Sequence, residues 1–142
     1  MRKYILLIGL MISVVGCQQK TDIETIDYVN GYWEIEEVKT PESQTKMYGE
    51  NTTIDYIEIK DSIGFRQKLM PQLDGKYLTN ELKETLQIEQ EGNAIYLNCQ
   101  TDYAQWREEI VALDSMTLIL KNSQNIIYKY KRFEPLSVNI NE

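Results

Sequence analysis

Thr85-Leu-Gln-Ile-Glu-Gln-Glu-Gly-Asn-Ala-Ile-Tyr-Leu-Asn-Cys99, with Gln105-Trp-Arg-Glu-Glu-Ile-Val-Ala-Leu113 and Met116-Thr-Leu-Ile-Leu-Lys121 after it, is a succession of short apolar runs broken by turn chemistry at Glu91-Gly92-Asn93 and Asp114-Ser115. No helical period persists through it, and the β-branched and aromatic content suits strands. Working outward, the same texture predicts strands at Tyr32–Lys39, Thr52–Lys60, Ile63–Met70, Lys76–Thr79, Thr85–Gln90, Ala94–Cys99, Gln105–Leu113, Met116–Lys121 and Ile126–Phe133. Asp74-Gly75 is read as a hairpin of type I′, a turn that needs positive φ at both central positions. Asn80 to Glu84 reads as a loop or a helical turn, and Pro71 as a strand end or bulge. Short connections require antiparallel neighbours, because a parallel crossover needs a dozen residues or more. Eight or nine strands in one meander leave unpaired edges unless the sheet closes, so a small antiparallel up-and-down β-barrel is expected, with a two-sheet sandwich as the runner-up. Alternation in Ile126/Tyr128/Tyr130 against Ile127/Lys129/Lys131 gives the strands one wet face.

The chain upstream reads as an address. Arg2 and Lys3 precede an apolar stretch from Tyr4 to Gly16, too short to span a bilayer and suited to a secretory leader. Val14-Val-Gly-Cys17 resembles the lipobox of bacterial lipoproteins, and the resemblance implies that Cys17 is acylated and becomes the first mature residue. The expected organisation is a signal peptide over residues 1–16, a lipidated cysteine and tether over 17–27, the barrel domain over 28–135 and a tail over 136–142. Within the tether, Ile23, Ile26 and Tyr28 are candidates to plug a barrel end. The 142 residues carry 22 acidic and 15 basic side chains; without Arg2 and Lys3 the basic count is 13 and the net charge −9. That acidity disfavours nucleic acid and anionic head groups, so attachment is expected through lipid alone. With Cys17 acylated, Cys99 has no disulfide partner and reads as a small buried hydrophobe.

A second resemblance concerns the domain itself. Gly31-Tyr32-Trp33 matches the Gly-x-Trp signature that opens the first strand of lipocalins, and Tyr128-Lys-Tyr-Lys-Arg132 places an arginine where the wider calycin group packs one across that tryptophan. The resemblance implies a lipocalin-like barrel whose Gly31, Trp33 and Arg132 close one end and perform no chemistry. A guanidinium on an indole face gains roughly 0.5–2 kcal/mol. The alternative is that Trp33 is plain core and Arg132 a solvated strand-end charge.

Histidine is absent from all 142 residues, which excludes histidine bases, Ser-His-Asp and Cys-His machinery and histidine-bound zinc. No metal pattern and no cofactor motif is present. The carboxylate pairs Glu36/Glu37, Glu108/Glu109 and Asp55/Glu58 could supply an acid and a base for glycoside cleavage, but Glu36/Glu37 and Glu108/Glu109 point to opposite faces of a strand and do not converge on one substrate without a bulge. Trp106 to Glu109 with Asp102 reads as a strand face and rim, and alternatively as a cleft for a sugar or a partner. Asn51-Thr-Thr53 fits an N-glycosylation pattern without a bacterial use, while Asp61-Ser-Ile63 and Asp114-Ser-Met116 resemble the Asp-Ser/Thr-apolar acceptor of periplasmic O-glycosylation, for which turn chemistry is a sufficient alternative explanation. Three functions remain. The first is a lipid-anchored, non-catalytic envelope lipoprotein, monomeric, binding a small apolar or amphipathic ligand at residues the sequence does not identify. The second is an envelope interaction or inhibitor module with a filled barrel, acting through loops or its acidic surface. The third, a carboxylate enzyme, lacks a convergent motif. Gln18 after the cysteine favours the outer membrane over the inner.

Overall fold

In the computed structural model the described residues are 21–135. Cys17, the expected leader, the first part of the tether and the expected tail at 136–142 lie outside them. A 3-10 helix, Ile23–Val29, is capped by the Asp22 side chain, which accepts from the Glu24 amide. Nine strands follow: β1 (Gly31–Lys39), β2 (Thr45–Met47), β3 (Ile54–Lys60), β4 (Ile63–Pro71), β5 (Tyr77–Glu91), β6 (Ala94–Gln100), β7 (Gln105–Leu113), β8 (Thr117–Asn122) and β9 (Ile127–Arg132).

Each strand from β3 to β9 pairs with the next, and antiparallel pairing of β1 with both β3 and β9 closes the sheet. The fold is therefore an all-β, antiparallel up-and-down barrel of eight strands, with β2 added at the edge of β1. The six register pairs from Trp33↔Arg132 to Lys39↔Ile127 exclude the sandwich alternative. A bulge between Ile35 and Glu37 shifts the register of β1. Inward residues of β3 and β5 to β8, among them Ile57, Leu86, Leu97, Ile110 and Leu120, fill the closed half with Trp33 and Val29. Full burial of such side chains is worth about 1.5–3 kcal/mol each.

Several local expectations are corrected. The expected strands Lys76–Thr79, from Tyr77 onward, and Thr85–Gln90 are parts of the single long strand β5, and Asn80–Glu84 is neither a loop nor a helical turn. Two extra residues between Thr79 and Lys83 oppose the short step from Gln67 to Leu69, forming a bulge. The Thr79 hydroxyl accepts from the Glu81 amide and the Asn80 side chain from the Leu82 amide, with Glu81 at φ 62°. Turn chemistry is real there, but it is spent inside a strand. The β4–β5 connection has five residues, Gln72 to Lys76, of which only Gly75 has positive φ. The two-residue loop with positive φ at both positions is Asp61-Ser62, where short polar side chains tolerate the left-handed region. β2 carries no pattern, since all three of its residues are exposed. Finally, Val29 and Ile26 pack on the core beneath the barrel, whereas Ile23 and Tyr28 are exposed.

Candidate functional site

Gly31, Trp33 and Arg132 come together at the closed end. The Arg132 guanidinium carbon lies 3.8 Å from the centre of the Trp33 ring. Its Nη1 and Nη2 donate to the carbonyls of Asn30 and Tyr28, both at 2.6 Å, and its Nε to that of Ser115 at 2.9 Å. Trp33 is fully buried, and its indole N–H donates to the Val29 carbonyl at 2.7 Å. Gly31 adopts φ +117°, and a Cβ there would stand 2.6 Å from Arg132 Nη1. Asn30 adds a contact that the sequence did not signal. Its side-chain amide exchanges two hydrogen bonds with the backbone of Ile59, extending the short β1–β3 ladder. All of these groups are occupied with one another, so this end is a floor.

Chemistry with room around it lies at the other end. Arg66 of β4 points inward and is buried, its Nε 2.6 Å from Glu84 and its Nη1 2.9 Å from Glu108. Burial opposes its charge, but Glu108 and Glu84 outweigh that and hold its pKa well above the usual arginine value. Asp55, also buried, is paired at 2.6 Å with Lys68, whose side chain reaches solvent. Cys99 beside this layer places its sulfur 3.6 Å from a Glu108 oxygen, and burial with the nearby Glu108 charge pushes the thiol up to about 12. It is a free, buried thiol. Burial and the Asp55 charge likewise push the Tyr130 phenol up, and its ring packs against the core.

Above this charged layer opens a cavity of about 550 Å³, lined by Asp55, Arg66, Lys68, the bulge and following residues 80–85, and the β6–β7 loop at residues 100–103. Leu82 and Tyr103 stand at its rim, 72% and 96% exposed. The closed half beneath is filled by side chains, so the cavity is a shallow mouth with an ionic floor instead of a deep apolar cup.

The Trp106–Glu109 run is divided between the two faces. Trp106 and Glu108 face inward. Arg107 lies outside over Tyr96 at 3.7 Å and is paired with Glu91 at 2.8 Å, and Glu109 is paired with Lys121 at 2.8 Å. Asp102 lines the mouth. The Asn51 side-chain amide donates to Glu34 and to the carbonyls of Ile35 and Gly49, so it is engaged in pinning the β2–β3 loop. Among the described residues no group of acidic and cysteine side chains is arranged to hold a metal ion, and no helix is long and apolar enough to cross a membrane. Arg66 is the residue the sequence reading missed. An isolated arginine in an alternating strand carries no mark of burial, and its partners lie 18 and 42 positions away.

No family model and no curated protein matches the chain. Among solved structures, the chain is similar to a lipocalin-like protein from Bacteroides uniformis, at 8% identity and TM-score 0.48, over 75% of this chain and 99% of that one. An uncharacterised protein from Bacteroides eggerthii is similar at 9% identity and TM-score 0.47, over 73% and 98%. Apocrustacyanin C1 is similar at 10% identity and TM-score 0.47, over 82% of this chain and 67% of that one.

Proposed function

We propose that this protein is a non-catalytic binding protein of the cell envelope, anchored by lipid on Cys17, that holds a small amphipathic ligand in the mouth of its barrel. The observation that carries the ligand part is the cavity of about 550 Å³ with an ionic floor and apolar rim residues. Pockets of roughly 300–1,000 Å³ suit small molecules. A filled lower half and charged floor favour a ligand with a polar head over a wholly apolar one. The non-catalytic reading is supported by the engagement of both floor glutamates with Arg66, which leaves neither poised as a free acid or base.

The anchor rests on the sequence: Arg2, Lys3, the apolar run and Gly16-Cys17. The outer membrane is its proposed location, and the proposed organisation is a leader at 1–16, a tether at 17–27, the barrel domain at 28–135 and a tail at 136–142. Native mass spectrometry of the purified protein tests ligand binding, with a retained small molecule expected. A clean apo mass that stays unchanged after incubation with envelope extracts argues against it. Cys17→Ser tests the anchor, because the variant should leave the membrane fraction. A second reading, an interaction module, is favoured by the exposed apolar side chains Leu82 and Tyr103 at the open end. Under that reading a co-purifying protein partner replaces the small molecule.

A further inference from the structure

The charges facing into the mouth do not balance. Asp55 and Glu84 line it opposite the cations Arg66 and Lys68, and the Arg66 guanidinium is shared with a third carboxylate, Glu108, buried beneath the lining. Lys83, the residue before Glu84 on β5, also lines the cavity, with its ammonium over the Phe65 ring at 4.0 Å. The rim adds two exposed carboxylates, Glu81 and Asp102, to the cavity lining. Within low-dielectric walls a surplus of one sign is focused into the opening.

We infer that the mouth selects an organic cation, an ammonium or guanidinium head on a short apolar body, with the head directed at Glu84 and Asp55 and the body against Leu82 and Tyr103. This deepens the ligand-binding reading above and rests on it. Arg66 then has a positioning role. It fixes Glu84 and Glu108 in place, while the outer edge of Glu84, whose side chain is 30% exposed, stays open to the mouth.

The test compares hexylammonium chloride, sodium hexanoate and hexanol by calorimetry on the purified full chain at neutral pH and low salt. Amide chemical-shift changes at Leu82 and Tyr103 locate the site. Hexylammonium is expected to bind about tenfold more tightly than hexanoate, with the preference shrinking several-fold as salt is raised. Glu84→Gln should bring the two within about threefold. Because Glu84 is an ion-pair partner, Asp102→Lys at the exposed rim supplies a second variant that does not disturb the floor, and it should weaken hexylammonium and strengthen hexanoate. Hexanoate or hexanol binding at the mouth as tightly as hexylammonium overturns the cation selectivity and leaves the ligand-binding reading intact. Failure of all three probes to perturb the mouth overturns both.

Discussion

Arg132 lies flat across Trp33, 3.8 Å from the ring centre, and from there reaches the carbonyls of Tyr28 and Asn30 on the segment that leads into β1. One side chain near the end of the chain thus ties the last strand to the helix and first strand about a hundred positions earlier. It does so where the barrel closes, so its loss should be felt by the whole fold.

Arg132→Met keeps the aliphatic stem and removes the charge and three donors. The expected loss is about 2–3 kcal/mol, from cation–π attraction and from carbonyls left to imperfect solvation. Arg132→Lys should lose roughly half of that, because an ammonium can stack but cannot fork to three carbonyls. Urea denaturation with constant slope is the measurement. Equal losses for Lys and Met would contradict the stacking contribution.

Gly31→Ala faces both a φ of +117° and the Arg132 Nη1 atom, and should cost about 2 kcal/mol. Part of that cost should vanish in an Arg132→Met background, which a double-mutant cycle reads directly. Gly64→Ala should be worse, at about 3 kcal/mol or more. Its Cβ would run into the Glu58 carbonyl oxygen and the Ile59 Cα, and backbone cannot step aside as a side-chain tip can.

Arg66→Met strands two carboxylates at the floor of the mouth, and breaking a buried pair costs about 3–5 kcal/mol. The double variant Arg66→Met with Glu108→Leu should recover most of that loss, because the partly exposed Glu84 can turn to water. Thermal melts of the wild type and the two variants decide it. A double variant no better than the single one would show that packing, not pairing, explains the position.

Alkaline pH should loosen the barrel. Cys99 is raised from 9.0 to about 12 by burial and Glu108, and Tyr56 from 10.0 to about 12 by its hydrogen bond to Glu58 and then by burial. The fold favours the neutral thiol and phenol, so their contribution is complete below the unfolded values and is lost as pH rises through about 12. Stability should stay level to about pH 9 and then fall, and Cys99→Val should move the onset towards pH 10. The native thiol should also resist alkylation until denaturant is added.

Strand after strand could be read from the chain because alternation and turn residues are local properties. Ala94–Cys99 and Gln105–Leu113 stand in the barrel within one residue of where their pattern puts them. The bulge in β5 was legible only as turn chemistry, since Thr79 and Asn80 make the same side-chain-to-amide bonds in a strand as in a loop. β2 was invisible because Thr45, Lys46 and Met47 are all exposed and bury nothing that would impose a period. At the mouth, Asp102 stood out in the sequence and Asp55 only as half of a pair with Glu58, whereas Arg66 and Glu84 did not, for their burial depends on residues from four different strands meeting inside.

By itself the sequence determined a meander of short antiparallel strands, the absence of histidine chemistry, the acidity, and the candidate acylation at Cys17. It also set Trp33 and Arg132 at opposite ends of one chain. Only the tertiary structure decided that β1 and β9 pair, that the lower barrel is filled, and that a shared guanidinium with surplus carboxylates forms the floor of an open mouth. The physical reason is range. Strand and turn preferences act over two to four residues, while closure and the burial of a charge depend on partners brought together from across the chain, whose cost and compensation exist only once the barrel has formed.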